Sequence, residues 1–185
     1  MIRAELSKLV SLPATWWTLG VTLLVNVLLT FVIAVGDTPV AYSRAGFVVF
    51  GVLAACSEYT GGQIRTTLTV MPRRIHQLTA KYAALALVSI PAALVVALSG
   101  ELIVTAVLGT WTMPWEVTPY LTLLTLISAA VGALTRNTLA AVTLLLGCLF
   151  AAAPLARIEA DAVTLAIWAP VLLAAAVVAH RLRDA

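Results

Sequence analysis

Charge is the scarcest property of this sequence. Only 10% of its 185 residues are Asp, Glu, Lys or Arg, against about 25% in an ordinary soluble domain, and a soluble fold cannot cover its surface with so few polar groups. Cysteine is nearly absent as well: Cys56 and Cys148 stand alone, with no Cys-x-x-Cys pair and no metal-ligand spacing. The layout developed below puts Cys56 near the inner face and Cys148 near mid-bilayer, so both are expected to be buried free thiols rather than a disulfide. Neither lysine, Lys8 nor Lys81, follows a glycine, so the chain has no phosphate-cradling P-loop. His-Glu-x-x-His and Gly-x-Ser-x-Gly motifs are missing too, which removes the common zinc-hydrolase and serine-hydrolase readings. His76 and His180 read as solvated side chains at the inner surface.

Apolar sequence is abundant. Hydrophobic residues make up 62% of the chain and the mean hydropathy is +1.07. A spanning helix needs roughly 20 mostly apolar residues, and six segments meet that need: 16–35, 40–56, 82–100, 119–134, 138–154 and 162–180. The expected fold class is therefore an all-α integral membrane protein of six transmembrane helices, forming one domain over residues 1–185. Pro91 and Pro170 lie inside spans, where neighbouring helices can satisfy the freed carbonyls. The run 16–35 ends in Ala34-Val35-Gly36, a small-x-small pattern. It is nonetheless longer than the usual signal-peptide core of about 7–15 residues, and a polar-rich lead precedes it, so it is expected to remain as a span. The net charge of +3 does not point to nucleic acid, because the cations fall in short clusters between apolar runs instead of forming a basic face.

Those clusters orient the spans. With the N-terminus inside, the inner segments carry Arg3, Lys8, Arg65, Arg73, Arg74, Lys81, Arg136, Arg181 and Arg183, and the outer ones carry Arg44 and Arg157. Nine inner cations against two outer ones is the bias of the positive-inside rule, and both termini are then cytoplasmic. Asp37, Glu116, Glu159 and Asp161 fall mainly outside. Trp16 and Trp17 at the inner boundary, with Trp111, Trp115 and Tyr120 at the outer one, match interfacial aromatic belts. Asp37 and Arg44 are placed to pair across the first outer turn, an exposed contact contributing about 0–1 kcal/mol. Ser128 and Gly132 form a small-xxx-small pair able to seat another helix.

The third span leaves Glu101 open. From Lys81 to Glu101 a helix rises about 30 Å, one hydrocarbon thickness, which puts Glu101 at the outer interface and makes 102–108 an interfacial or re-entrant piece. The alternative is a longer, tilted helix that holds Glu101 inside the bundle as an intramembrane polar site.

Residues 57–76 concentrate the remaining information. Gly61 and Gly62 interrupt the second span. Ile64, Leu68 and Met71 then recur at helical spacing, Pro72 ends that turn, and Arg73 and Arg74 follow. The result is a bent, cation-rich elbow at the cytoplasmic face. It reads either as a connector resting on anionic headgroups or as a lever docked in a groove of a soluble partner. Residues 1–14 are similar in character: Ile2, Leu6 and Leu9 alternate with Arg3, Glu5, Ser7 and Lys8 ahead of Pro13, as in an amphipathic helix lying along the inner surface.

Two of these stretches carry a resemblance. Arg3-Ala4-Glu5-Leu6-Ser7-Lys8-Leu9 with Thr15-Trp16-Trp17-Thr18-Leu19 resembles the opening of bacterial ABC-2-type permeases, the transmembrane subunits of type 2 exporters. Ser57-Glu58-Tyr59-Thr60-Gly61-Gly62-Gln63-Ile64-Arg65-Thr66-Thr67-Leu68, followed by Pro72-Arg73-Arg74, is similar to the stretch those permeases carry after their second helix. Beyond Lys81 only helix count and orientation agree, and the short loops leave no room for a sizeable outer domain. The resemblance implies a dimeric transmembrane domain, homo- or heteromeric, in the bacterial cytoplasmic membrane. It implies a cytosolic ATP-binding subunit that holds ATP and Mg, a connecting helix at 1–14, and a coupling helix in the elbow with Glu58, Gly61, Arg65, Thr66, Pro72 and Arg73 as coupling residues. This chain would itself hold no catalytic, cofactor or metal site.

Two other classes compete. A six-helix substrate-capturing subunit of an importer fits the size, but it should carry an Ala-xxx-Ala face on its first helix, which 16–35 lacks, and it needs no arginine elbow. An intramembrane enzyme would need paired acidic, histidine or serine groups within the spans, where Glu101 is the only acidic or histidine candidate.

Overall fold

Pro13 decides where the chain first bends. In the computed structural model, helix α1 (Ile2–Ser11) and helix α2 (Pro13–Ile33) are separated by Leu12 alone. Proline disfavours helical geometry in the residue before it, yet it suits the first position of a helix, where its missing N–H has no partner in any case. The Trp16 indole N–H reaches back across the bend and donates to the Val10 carbonyl at 2.7 Å, so one of the exposed acceptors at the end of α1 is satisfied. The structure describes residues 2–33, 40–60, 74–109 and 115–152, with helical positions 165, 167, 169–171, 173, 174 and 178.

Four more helices follow: α3 (Val40–Thr60), α4 (Arg74–Leu108), α5 (Val117–Thr135) and α6 (Thr138–Gly147), the last running on into a π-helical turn, Cys148–Ala152. No strand occurs among the described residues. Among the described residues three stretches can cross a membrane by length and composition, Pro13–Val32, Thr79–Val107 and Val117–Thr135, and two shorter apolar helices, Tyr42–Ser57 and Thr138–Phe150, accompany them. The α5–α6 turn is tight. Arg136 takes a left-handed conformation at φ 53° and gives its N–H to Gly132, while the Asn137 side chain accepts from the N–H groups of Leu139 and Ala140, the usual duty of an N-cap asparagine.

The break expected after Glu101 does not occur. Helix α4 is a single 35-residue helix that passes through Pro91 and Glu101; at about 1.5 Å per residue it is roughly 52 Å long, well beyond one hydrocarbon thickness. It stops at Gly109, which has φ +71° and donates its N–H to Thr105, the left-handed ending that glycine supplies most readily.

Helix α3 is the centre of the bundle. It packs most extensively on α5 and also meets α2, α4 and α6, and Phe47, Val48, Phe50 and Val52 on it are almost wholly buried. Small residues let α3 and α5 approach closely. Gly51 faces the Thr125 carbonyl and Ser128, and Gly132 faces Val52, Ala55 and Cys56. The Ser128/Gly132 pair therefore seats α3 of the same chain. Tyr120, expected in an outer aromatic belt, is instead buried in the cluster of Phe47, Val48 and Leu121, whereas Trp16, Trp17 and Trp115 are exposed. Both cysteines are free; Cys56 is buried as expected, but Cys148 is exposed. The outer faces of α2 and α4 remain apolar, through Leu24, Phe31, Leu94 and Leu102 among others, which is the surface a hydrocarbon solvent accommodates.

Candidate functional site

Helix α3 ends at Thr60, next to Gly61, and α4 begins at Arg74, next to Arg73. Of the sequence-nominated coupling residues, Glu58 lies in the last turn of α3, and Gly61, Arg65, Thr66, Pro72 and Arg73 lie outside the described residues. The structure does describe what holds the two ends of that elbow. Helix α1 packs against α4, and Leu9 is buried in a cluster with Ala54 of α3 and Ala84 and Leu85 of α4. The apolar side of α1 is thus spent on the bundle, with Leu6 partly buried beside Leu9. A cleft between the three helices is lined by Glu5, Lys8, Ala54, Ser57, Lys81 and Leu85 among others.

Lys81 is the residue that sequence reasoning undervalued there. It had been one cation among several in the elbow; its Nζ in fact donates to the Ala55 carbonyl at 3.2 Å. The bond ties the ammonium to a carbonyl in the C-terminal part of α3, on the side of the negative end of the helix dipole. One side chain of α4 therefore grips α3 just before the elbow, and α1 braces both.

A second polar feature lies toward the other end of α3. Arg44 belongs to the apolar stretch Tyr42–Ser57, is half-buried, and places its guanidinium carbon 4.8 Å from the centroid of the Tyr120 ring on α5. Its Nε is buried with no hydrogen-bond partner. Asp37, its expected partner, lies outside the described residues. An arginine at the centre of a membrane helix costs about 2.5–3.5 kcal/mol on insertion scales, and less near a helix end. A cation–π contact offsets about 0.5–2 kcal/mol of such a cost.

Glu101 occupies a partly buried position on α4, and its carbonyl accepts from Thr105 Oγ1 at 2.8 Å. The larger buried polar group is Asn26 on α2, fully buried, which no motif had singled out. Its side-chain N–H groups donate to the Val96 carbonyl at 3.1 Å and to Ser99 Oγ at 3.3 Å on α4, and its Oδ1 accepts from Ser43 on α3 at 2.7 Å. Every polar atom of the amide is satisfied, so Asn26 reads as a cross-link of three helices. No group of three or more His, Cys, Asp or Glu able to hold a metal occurs among the described residues.

Fold and site together define an all-helical chain, over the residues described, with three helices long and apolar enough to cross a membrane. Comparison with known proteins adds no closer assignment: no family model, no curated protein and no solved structure matches the chain.

Proposed function

We propose that this chain is the membrane-spanning permease subunit of an ATP-binding-cassette exporter in the bacterial cytoplasmic membrane. It moves a hydrophobic or amphipathic substrate with energy from a separate cytosolic subunit that binds ATP and Mg, and it works beside a second permease subunit. In this reading six helices span the bilayer, both termini are cytoplasmic, and residues 57–76 form the coupling elbow.

The observation that carries the reading is the convergence of α1, the end of α3 and the start of α4 on the two ends of residues 61–73, with Lys81 bonded across. A push on the elbow would then act on a braced three-helix junction and rock it as a unit. Useful transport requires the outward state to bind substrate more weakly than the inward state, since a conformational change transfers free energy only through such a difference.

Co-purification with candidate ATPases tests the proposal. Coupling free energies of about 1–3 kcal/mol correspond to roughly 5- to 150-fold, so Arg65→Glu or Arg73→Glu should lower ATP turnover about fivefold or more while the complex stays membrane-inserted. Unchanged turnover in both variants removes the coupling role. Single cysteines placed at 60–75, with Cys56 and Cys148 replaced by alanine, should label from the cytosolic side only; labelling from outside overturns the topology.

A further inference from the structure

The Arg44–Tyr120 pair serves neither the elbow nor the three-helix cross-link, and it has chemistry left over. A guanidinium carries five N–H donors in one plane. The contact with the Tyr120 ring is a cation–π one, which supplies no conventional acceptor to those donors. Among the described residues no carboxylate pairs with Arg44, and its Nε lacks any hydrogen-bond partner. The side chain as a whole is only half-buried, while Nε itself is enclosed, so an incoming group meets the rest of the side chain and not Nε. Phe47, Val48 and Leu121 lie in the apolar cluster that holds Tyr120, and Tyr42, two residues before Arg44, is exposed. Arg44 also sits one turn into α3, whose positive pole lies at the Val40 end.

We infer that Arg44, held over the Tyr120 ring, is the recognition point for an oxyanion borne on an apolar tail, a carboxylate or phosphate head whose chain runs along the hydrocarbon-facing side of the bundle. The planar fork of arginine matches such an oxyanion with two parallel N–H···O bonds, and an anion there neutralises a charge that no carboxylate among the described residues pairs with. The inference rests on the transport reading in one respect, that the anion is cargo; a bilayer lipid presents the same head chemistry, and the experiment separates the two sources.

The test uses the full chain in phosphatidylcholine nanodiscs, with bound amphiphiles counted by native mass spectrometry. The probes are dodecyl phosphate and dodecyltrimethylammonium, with the same tail and opposite heads. The wild-type chain should prefer dodecyl phosphate by about tenfold or more, as a charge-assisted forked pair provides. Arg44→Gln should erase that preference, and Arg44→Lys, which keeps the charge in place but loses the fork, should keep only part of it. Equal binding of the two amphiphiles by the wild type overturns the site, as does an Arg44→Lys variant with undiminished preference. Phosphatidylglycerol added to the nanodiscs then assigns the source: displacement of dodecyl phosphate makes a lipid head the natural occupant, and no displacement makes it cargo. Because the titration contains no ATPase, a chain that pairs with no ATPase yet shows the Arg44-dependent preference keeps this site and loses the transport reading.

Discussion

Gly51→Val should destabilise the bundle by about 3 kcal/mol or more, roughly a hundredfold in the folding equilibrium. A Cβ at position 51 would overlap the Thr125 carbonyl oxygen and Ser128 Oγ and approach the Ala129 nitrogen to 3.2 Å. Two of those atoms are backbone, so the neighbour cannot swing aside as a long side chain would; α3 and α5 have to separate. Separation then loosens the contact one turn on, where a Cβ at Gly132 would already stand 3.3 Å from that of Ala55. Gly20→Val is the matching control, because nothing lies within 4 Å of a Cβ built there, and it should change stability by no more than about 0.5–1 kcal/mol. The two variants are compared by reversible unfolding in mixed micelles. Equal midpoints would show that α3 does not lie against α5 as described.

That seam shows what a sequence reveals of such a fold and what it withholds. Spans are legible because the bilayer demands only length and apolarity, and a run such as 16–35 meets both without reference to anything else in the chain. The bend at Pro13 is legible for the same reason: proline acts locally. The sequence leaves the length of α4 open, because Glu101 stands about one hydrocarbon thickness from Lys81. One carboxylate does not end a helix, and no glycine or proline follows until Gly109, which is where the left-handed turn lies.

Partnerships between helices were not legible. Arg44 and Tyr120 are on different helices, and hydropathy assigned both to an outer boundary without indicating that one covers the other. Lys81 read as a surface cation because its acceptor, the Ala55 carbonyl, is backbone and leaves no mark in a side-chain pattern. With Lys81 near one end and Arg44 near the other, α3 is tied to α4 at the elbow side and to α5 at the far side. On the transport reading, α3 is then the element through which a push at the elbow reaches the opposite face. Of the coupling residues nominated from sequence, Glu58 lies in the last turn of α3, and the others, Arg65 and Arg73 among them, lie outside the described residues.

Asn26 offers the strongest single test of how the first three apolar helices hold together. Asn26→Leu keeps a side chain of similar bulk but removes two donors to α4 and the acceptor of the Ser43 hydroxyl on α3. Interhelical hydrogen bonds in membrane proteins contribute about 0.6 kcal/mol each, with a maximum near about 1.7, so three of them lost together give roughly 2 kcal/mol. Ser43, 1% exposed, is then left with a buried hydroxyl deprived of its acceptor, and a group stranded that way costs about 1–3 kcal/mol more. The two contributions predict different behaviour in a double-mutant cycle. Removing both partners at once can be nearly neutral where removing one is not, so Asn26→Leu combined with Ser43→Ala should be less destabilised than the two single effects summed, by about 1 kcal/mol. Strict additivity in mixed-micelle unfolding would mean that the Ser43 hydroxyl finds another acceptor and that the amide ties α2 to α4 only. A favourable coupling would instead fix α2, α3 and α4 around one side chain.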